Sequence, residues 1–279
     1  MKNHRLLGEA KKGDIQAFGK LFTPIREPLK SYLFRLCANA EEAEDLAQDT
    51  FIKSFEGIAA FQGESSLKTW VFAIATNAAK NAFRKRKPWT PDTQDRMRAT
   101  VEASPPLLEE MVRANQHSRF GTFEIREHIG FCFTCLAKSL PLDQQIALIL
   151  KDIYAFKVAE MALILDQTEA VVKHMLHAAR NTMVRIFDNR CALVSKKGVC
   201  HQCSELNGFL NPKAHSQATL VKLRMVKEAD SASRKRLLAL RMHLVRSLNP
   251  LKAEGRDFHG FLYKLGHGLN GAALEKSAV

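Results

Sequence analysis

Apolar residues recur at helical spacing along most of the chain, and β-branched runs are few. That pattern predicts an all-α protein. After Asn39, the positions Ala43, Leu46, Ala47, Thr50, Phe51, Ser54 and Phe55 form one stripe, while Asp45, Gln48, Asp49 and Ile52 point elsewhere. Asn39 followed three residues later by Glu42 is a helix-start signal. A loop at Phe61–Ser66 leads into the next helix, with Ser66 as its cap. This helix is expected to bury Leu67, Trp70, Val71, Ile74, Ala78 and Ala82. Its other face then carries Thr69, Thr76, Asn77, Lys80 and Arg84. The basic run Arg84-Lys-Arg-Lys87 closes the helix, and Pro88 stops it.

Residues 88–122 read as a flexible linker: Pro88, Pro91, Pro105 and Pro106 interrupt helices, with room for one short helix near Leu107–Asn115. A second helical region runs to Asn189. Leu140-Pro141 restarts a helix there, and Lys157–Leu165, Asp166-Gln-Thr168 and Glu169–Phe187 read as helix, tight turn, helix. Beyond Cys191, Leu220, Leu223 and Val226, and then Leu237, Leu238, Leu240, Leu244, Val245 and Leu248, suggest two amphipathic helices. The expected architecture is two small helical domains, 8–87 and 123–190, joined by the linker and followed by a helical extension, 191–279.

Charge separates these regions. The chain has 42 Lys+Arg against 29 Asp+Glu, a formal net charge of +13, which concerns partners rather than fold. The helix after Asn39 is acidic (Glu41, Glu42, Glu44, Asp45, Asp49, Glu56), and the next ends strongly basic. A uniformly solvated surface would mix the signs, so two different partners are expected. Bases at a helix C-terminus also complement its dipole, but that does not account for the polar stripe leading up to them. No apolar run is long enough to span a bilayer, and the first residues lack the apolar core of a signal peptide. A cytoplasmic location without membrane attachment is expected.

The helix-turn-helix reading rests on three positions. Ala162 is small where the helices cross, Asp166 tolerates left-handed backbone in the turn, and Val172 is apolar inside the second helix. Outward on that helix lie Glu169, Lys173, His174, His177 and Arg180. Such side chains can reach base edges in the major groove or hold phosphates. An ordinary helical hairpin with a solvated face is the alternative.

Taken in order, these features resemble the extracytoplasmic-function (ECF) group of sigma-70-type factors. Glu44-Asp-Leu-Ala-Gln-Asp-Thr-Phe-Ile-Lys53 resembles the family's acidic helix that grips the polymerase clamp. Phe61 to Arg86, with Leu67-Lys-Thr-Trp70 and Ala75-Thr-Asn-Ala-Ala-Lys-Asn-Ala-Phe-Arg84, resembles the part that opens and reads the −10 element. Leu140 to Arg180, with Val158-Ala-Glu-Met-Ala162 and Val171-Val-Lys-His174, resembles the −35-reading domain. The resemblance implies core RNA polymerase as a partner for Asp45, Gln48, Asp49 and Ile52. It implies promoter DNA, partly single-stranded, for Phe61, Ser65, Ser66, Thr69, Asn77, Lys80, Arg84 and Lys85, and duplex DNA for Glu169, Lys173, His174, His177 and Arg180. It implies no enzymatic chemistry and no required cofactor, and allows an anti-sigma factor as a further partner. A conventional helix-turn-helix regulator is the rival reading, but it gives the acidic helix and the 61–86 segment no purpose. A thiol oxidoreductase lacks the expected βαβ pattern.

Two CxxC pairs remain, Cys132/Cys135 and Cys200/Cys203, with His201 and Cys191 as spare ligands. Four thiolates can form a structural zinc site. Small buried core residues and a thiol switch are the other readings.

Overall fold

The computed structural model describes residues 2–116, 125–190, 231–253 and 255–275, and these are helical or looped, without strands. In chain order the helices are α1 (Lys2–Lys11), α2 (Ile15–Cys37), α3 (Ala40–Gly57), α4 (Leu67–Phe83), α5 (Thr93–Glu102), α6 (Pro105–Gln116) and α7 (Ile125–Ala137). Then follow α8 (Leu142–Asp152), α9 (Val158–Leu165), α10 (Glu169–Arg190), α11 (Arg234–Arg246) and α12 (Arg256–Glu275). They form two compact units: Met1–Arg86 with Leu142–Leu176, and Lys87–Pro141 with His177–Val279.

In the first unit, local chemistry sets the helix ends. The Asp14 carboxylate accepts from the Gln16 and Ala17 amides at 2.8 and 3.0 Å, opening α2. At the other end Ala38 turns left-handed, with φ 58°, and its N–H donates to the Phe34 carbonyl at 2.7 Å. The chain passes straight into the next cap, where the Asn39 side chain accepts from the Glu42 amide at 3.1 Å. The predicted stripe of α3 faces inward: Ala43, Leu46, Ala47, Thr50 and Ser54 are buried. Phe51 and Phe55 meet Phe18 of α2 with ring centroids 5.2 and 5.5 Å apart. Each such ring or leucine contributes about 1.5–3 kcal/mol by leaving water.

The stripe of α4 differs from the expectation. Ser66 caps the helix as expected, accepting from the Thr69 amide at 3.0 Å. The buried positions, however, are Thr69, Val71, Phe72, Ala75, Thr76, Ala79 and Phe83, whereas Leu67, Trp70, Ile74 and Ala78 are half-buried and Ala82 is exposed. The reason is that α4 packs on two sides, against α2 and α3 and also against α8 and α9. A one-sided stripe therefore describes it poorly. Thr76 is tolerated inside because its hydroxyl shares a hydrogen bond with the Tyr32 hydroxyl at 2.8 Å.

The second unit joins the 88–122 segment to the C-terminal extension. That segment carries α5 and α6, and both pack on α12, while α7 packs on α11 and α12. Trp89 is buried, and its N–H donates to the Lys138 carbonyl at 2.9 Å. The Asn270 side chain accepts from Thr90 N at 3.4 Å and donates to Thr93 Oγ1 at 3.2 Å. Arg96 donates to the Leu269 carbonyl at 2.8 Å. In α11, Leu237, Leu238 and Val245 are buried and Leu240 and Leu244 are half-buried, as is Leu248 just past its end. The other predicted helix, around Leu220, Leu223 and Val226, lies outside the described residues.

Candidate nucleic-acid interface

The acidic helix presents its stripe outward. Asp45, Gln48, Asp49 and Ile52 are all exposed, Ile52 by half its surface. An exposed isoleucine ringed by carboxylates suits a protein partner better than bulk water. Glu44 plays a different part. It pairs with Lys30 and Arg26 of α2, and the Lys30 hydrogen bond chiefly holds its carboxyl below the usual range against the opposing effect of burial. The inward carboxylate fixes α3 on α2, and Asp45 and Asp49 remain on the free side.

The segment expected to meet single-stranded DNA is only partly open. Ser66, Asn77, Arg84 and Lys85 are exposed, and Ser65 is half-buried. Phe61 is buried instead, its ring 5.2 Å from that of Trp70, so it supports the loop from beneath. Within the basic run, Arg86 forms a bidentate pair with Glu42, tying the end of α4 to the start of α3. It is thereby committed to the fold. Thr69, expected on the free face, is 1% exposed. Its hydroxyl donates to Glu160 Oε1 on α9 at 3.2 Å. Lys80 pairs with Asp143 of α8 at 3.0 Å. Thr69 is thus covered by a neighbouring helix, whereas Lys80 is engaged by one and stays half-buried.

The sequence reading missed these neighbours. Glu160 is legible as a helix-start residue, and its other oxygen does accept from Lys157 N at 2.8 Å. Nothing in the local sequence announces its second bond to Thr69. Lys68 was likewise not singled out, yet its ammonium lies 4.6 Å from the Phe156 ring centroid.

The helix-turn-helix has the expected turn. Asp166 is left-handed, with φ 52° and ψ 53°, and its N–H caps α9 on the Ala162 carbonyl. Gln167 N also donates to Ala162 O at 3.0 Å. Val172 is fully buried, pinning α10. Thr168 Oγ1 accepts from Val171 N at 3.3 Å at the start of that helix. Glu169, Lys173, His174 and His177 are exposed along α10, and Arg180 is half-buried. Glu169 and Lys173 pair at 3.3 Å, and His177 hydrogen-bonds Asn181 at 2.8 Å. These contacts within one helix align its outer side chains while leaving them in solvent.

Cys132 and Cys135 sit one turn apart on α7, the first half-buried and the second buried. Cys191, Cys200, His201 and Cys203 lie outside the described residues. Among the described residues no three His, Cys, Asp or Glu side chains converge as a metal site, and no helix is long and apolar enough to cross a membrane.

The sequence model of sigma-70 region 2 matches residues 21–88, and that of sigma-70 region 4 matches residues 131–183. The chain is similar to the RNA polymerase sigma-H factor of Pseudomonas aeruginosa, with 26% identity over 186 residues, covering 65% of this chain and 92% of that protein. It is similar to the ECF RNA polymerase sigma-E factor of Salmonella typhimurium, with 28% identity over 180 residues, covering 64% and 90%. Among solved structures, CnrH in complex with the cytosolic domain of CnrY covers 67% of this chain and 98% of its own at 17% identity and TM-score 0.47. The region 2 match takes in the acidic helix and α4, and the region 4 match takes in the helix-turn-helix. With both regions present in that order, and relatives named as sigma factors along most of their own length, the chain belongs to the ECF group of the sigma-70 family of RNA polymerase sigma factors.

Proposed function

We infer that this sigma factor holds core RNA polymerase through Asp45, Gln48, Asp49 and Ile52 on α3 and reads promoter DNA with two further surfaces. The exposed acidic stripe carries the reading. A DNA-binding regulator acting without polymerase would have no use for it. Upstream, Glu169, Lys173, His174, His177 and Arg180 of α10 face the −35 duplex, the polar residues near its start reaching bases and the later bases holding phosphates. Downstream, the 61–66 loop and α4 receive the −10 strand once it leaves the duplex. Opening DNA needs a place for unpaired bases and a basic track for the backbone. Ser65, Ser66, Thr69, Asn77 and Lys80 supply polar contacts, and Arg84 and Lys85 supply charge. The functional limits follow the sequence pattern: 8–87 for polymerase and −10 contacts, 123–190 for −35 contacts.

The polymerase performs the covalent chemistry, and this chain contributes binding and strand separation. It works in the cytoplasm, beside polymerase, where an anti-sigma protein can regulate it. A structural zinc at Cys132, Cys135, Cys200 and Cys203 is the further part of this reading.

Multi-round transcription with purified core polymerase, this protein and a library of promoter fragments tests the function. Transcripts that depend on the protein are expected. Absence of both transcripts and core binding would shift the assignment to a conventional DNA-binding regulator.

A further inference from the structure

We propose that α11, in the extension beyond the helix-turn-helix, is a further duplex-DNA contact: a basic face that holds phosphates beside the site of α10, whatever the sequence there. This rests on the reading of α10 as the −35 helix.

Helix α11 carries Arg234, Lys235, Arg236, Arg241, His243 and Arg246 and no Asp or Glu. Two of these residues fasten it to the second half of α10. Arg234 pairs with Asp188 at 2.5 Å. The buried Arg241 stacks its guanidinium carbon 4.3 Å from the Phe187 ring centroid. At about 100° per residue, Asp188 falls on the same side of α10 as the exposed His177, Asn181 and Arg185. The first turn of α11 is therefore tied to the far end of the side of α10 that is assigned to DNA.

The remaining basic residues point away from the core. Leu237, Leu238 and Val245 are buried on one side of α11, and Lys235, Arg236, His243 and Arg246 are exposed on the other. From Lys235 to Arg246 this face is about 16 Å long, enough to span several phosphates of a duplex that carries one charge per about 1.7 Å of axis. The fold gives no reason for cations at its start. The first turn of a helix is the positive end of its dipole, where acids stabilise and cations oppose. Arg234, Lys235 and Arg236 occupy that turn with no acid among them. Asp188 answers the first of the three; Lys235 and Arg236 add positive charge where the helix by itself disfavours it. A polyanion reached from α10 is the partner that this charge and this position fit.

The test titrates a labelled random-sequence duplex with the full-length chain by fluorescence anisotropy at several salt concentrations. Lys235→Ala with Arg236→Ala should lower affinity about tenfold and reduce the slope of log affinity against log salt by about two, one for each phosphate released. Lys11→Ala with Lys12→Ala removes the same charge from exposed positions at the end of α1 and should leave the slope as it was. Thermal unfolding of the α11 pair should not drop, because its charges oppose the dipole; a drop would make them part of the fold and overturn the proposal. Should the pair fail to fold, Lys235→Ala alone should still reduce the slope by about one. An unchanged slope in folded α11 variants overturns the proposal, and so does an equal fall in the α1 pair, which is the general charge of the chain. Weaker core-polymerase binding with an unchanged duplex slope would assign the face to an acidic protein surface instead. Lys173→Ala separates the two readings: a slope loss there without one in α11 keeps the −35 helix and removes α11, and the reverse keeps α11 as a DNA contact while the reading of α10 fails.

Discussion

Gly266 lies flush against the indole of Trp89: a Cβ on Gly266 would sit 2.6 Å from Cη2 and 2.8 Å from Cζ3 of that ring, and 3.3 Å from Met97 Sδ. The C-terminal helix can approach the 88–122 segment this closely only because one residue has no side chain. Trp89 is rigid and buried, so it cannot swing aside as a lysine tip would. Gly266→Ala should therefore destabilise the second unit by about 1–3 kcal/mol, the range for overpacking. Urea unfolding followed by Trp fluorescence reads this out. Trp89→Phe combined with Gly266→Ala should be less harmful than the sum of the two single changes, since the smaller ring leaves room for the methyl.

A buried histidine pair makes the same unit sensitive to acid. His128 and His259 lie with ring centroids 5.9 Å apart, and His259 stacks on Phe131 at 4.9 Å. Burial pushes the His128 pKa down to about 4 and the His259 pKa down to about 3, with His128 adding to the second shift. Both are neutral when folded and titrate near 6.5 when unfolded. Below pH 6.5 the unfolded chain binds protons that the folded chain refuses, so stability falls as pH falls, down to the folded values. From pH 7.5 to 5 each histidine removes about 2 kcal/mol. His259→Phe keeps an aromatic ring on Phe131 and should flatten the decline of thermal stability over this window. An unchanged slope would show that the pair is not the source.

Several features of the fold were legible because they depend on neighbours in sequence. The caps at Asn39 and Ser66 and the left-handed turn at Asp166 follow from short polar side chains next to helix ends. The acidic stripe was legible too, since one face of α3 had to be apolar to pack on α2. Features that depend on distant partners were not. Thr69 and Thr76 look like solvent residues until Glu160 and Tyr32 are placed beside them. Pro105 reads as a breaker, yet it begins α6, where a missing N–H does no harm. Trp89, Met97 and Val101 are too sparse to announce a core without α12, which lies far along the chain.

The turn at Asp166 allows a prediction with two signs. A non-glycine residue at φ 52° is tolerated because aspartate is short and polar; a β-branched residue is not. Asp166→Val should lower stability by about 1–2 kcal/mol and loosen duplex binding by misplacing α10. Asp166→Gly should leave duplex binding intact, because glycine adopts this conformation without strain. Equal behaviour of the two variants in thermal unfolding would show that the turn does not control the helix-turn-helix.

In the proposed upstream interface, Lys173 and Arg180 are assigned to phosphates. Loss of either charge should weaken binding across sequences and reduce the salt slope of affinity by about one. Lys173 is already paired with Glu169 at 3.3 Å, so its release to a phosphate involves exchanging one anion for another. Glu169→Gln should strengthen non-specific binding while Lys173→Ala weakens it. Titrations at several salt concentrations on duplex DNA separate the slope from the intercept.

The proposed polymerase interface is open to the sharpest test, because α3 divides its carboxylates between ion pairs within the fold and solvent. Glu42 and Glu44 hold Arg86, Lys30 and Arg26 within the first unit, and neutralising them should lower stability. Asp45 and Asp49 point into solvent, so reversing one should leave folding untouched. Asp49→Lys places a cation beside Ile52 where a basic partner surface would have met an anion. Rim charges act mainly on association rate and salt dependence, and like charges brought together cost several kcal/mol. Core polymerase should therefore bind Asp49→Lys at least about tenfold more weakly, with unchanged thermal unfolding and unchanged duplex DNA affinity. Unaltered polymerase binding would remove α3 from the interface, whereas weaker binding together with a lower unfolding temperature would mean that Asp49 serves the fold.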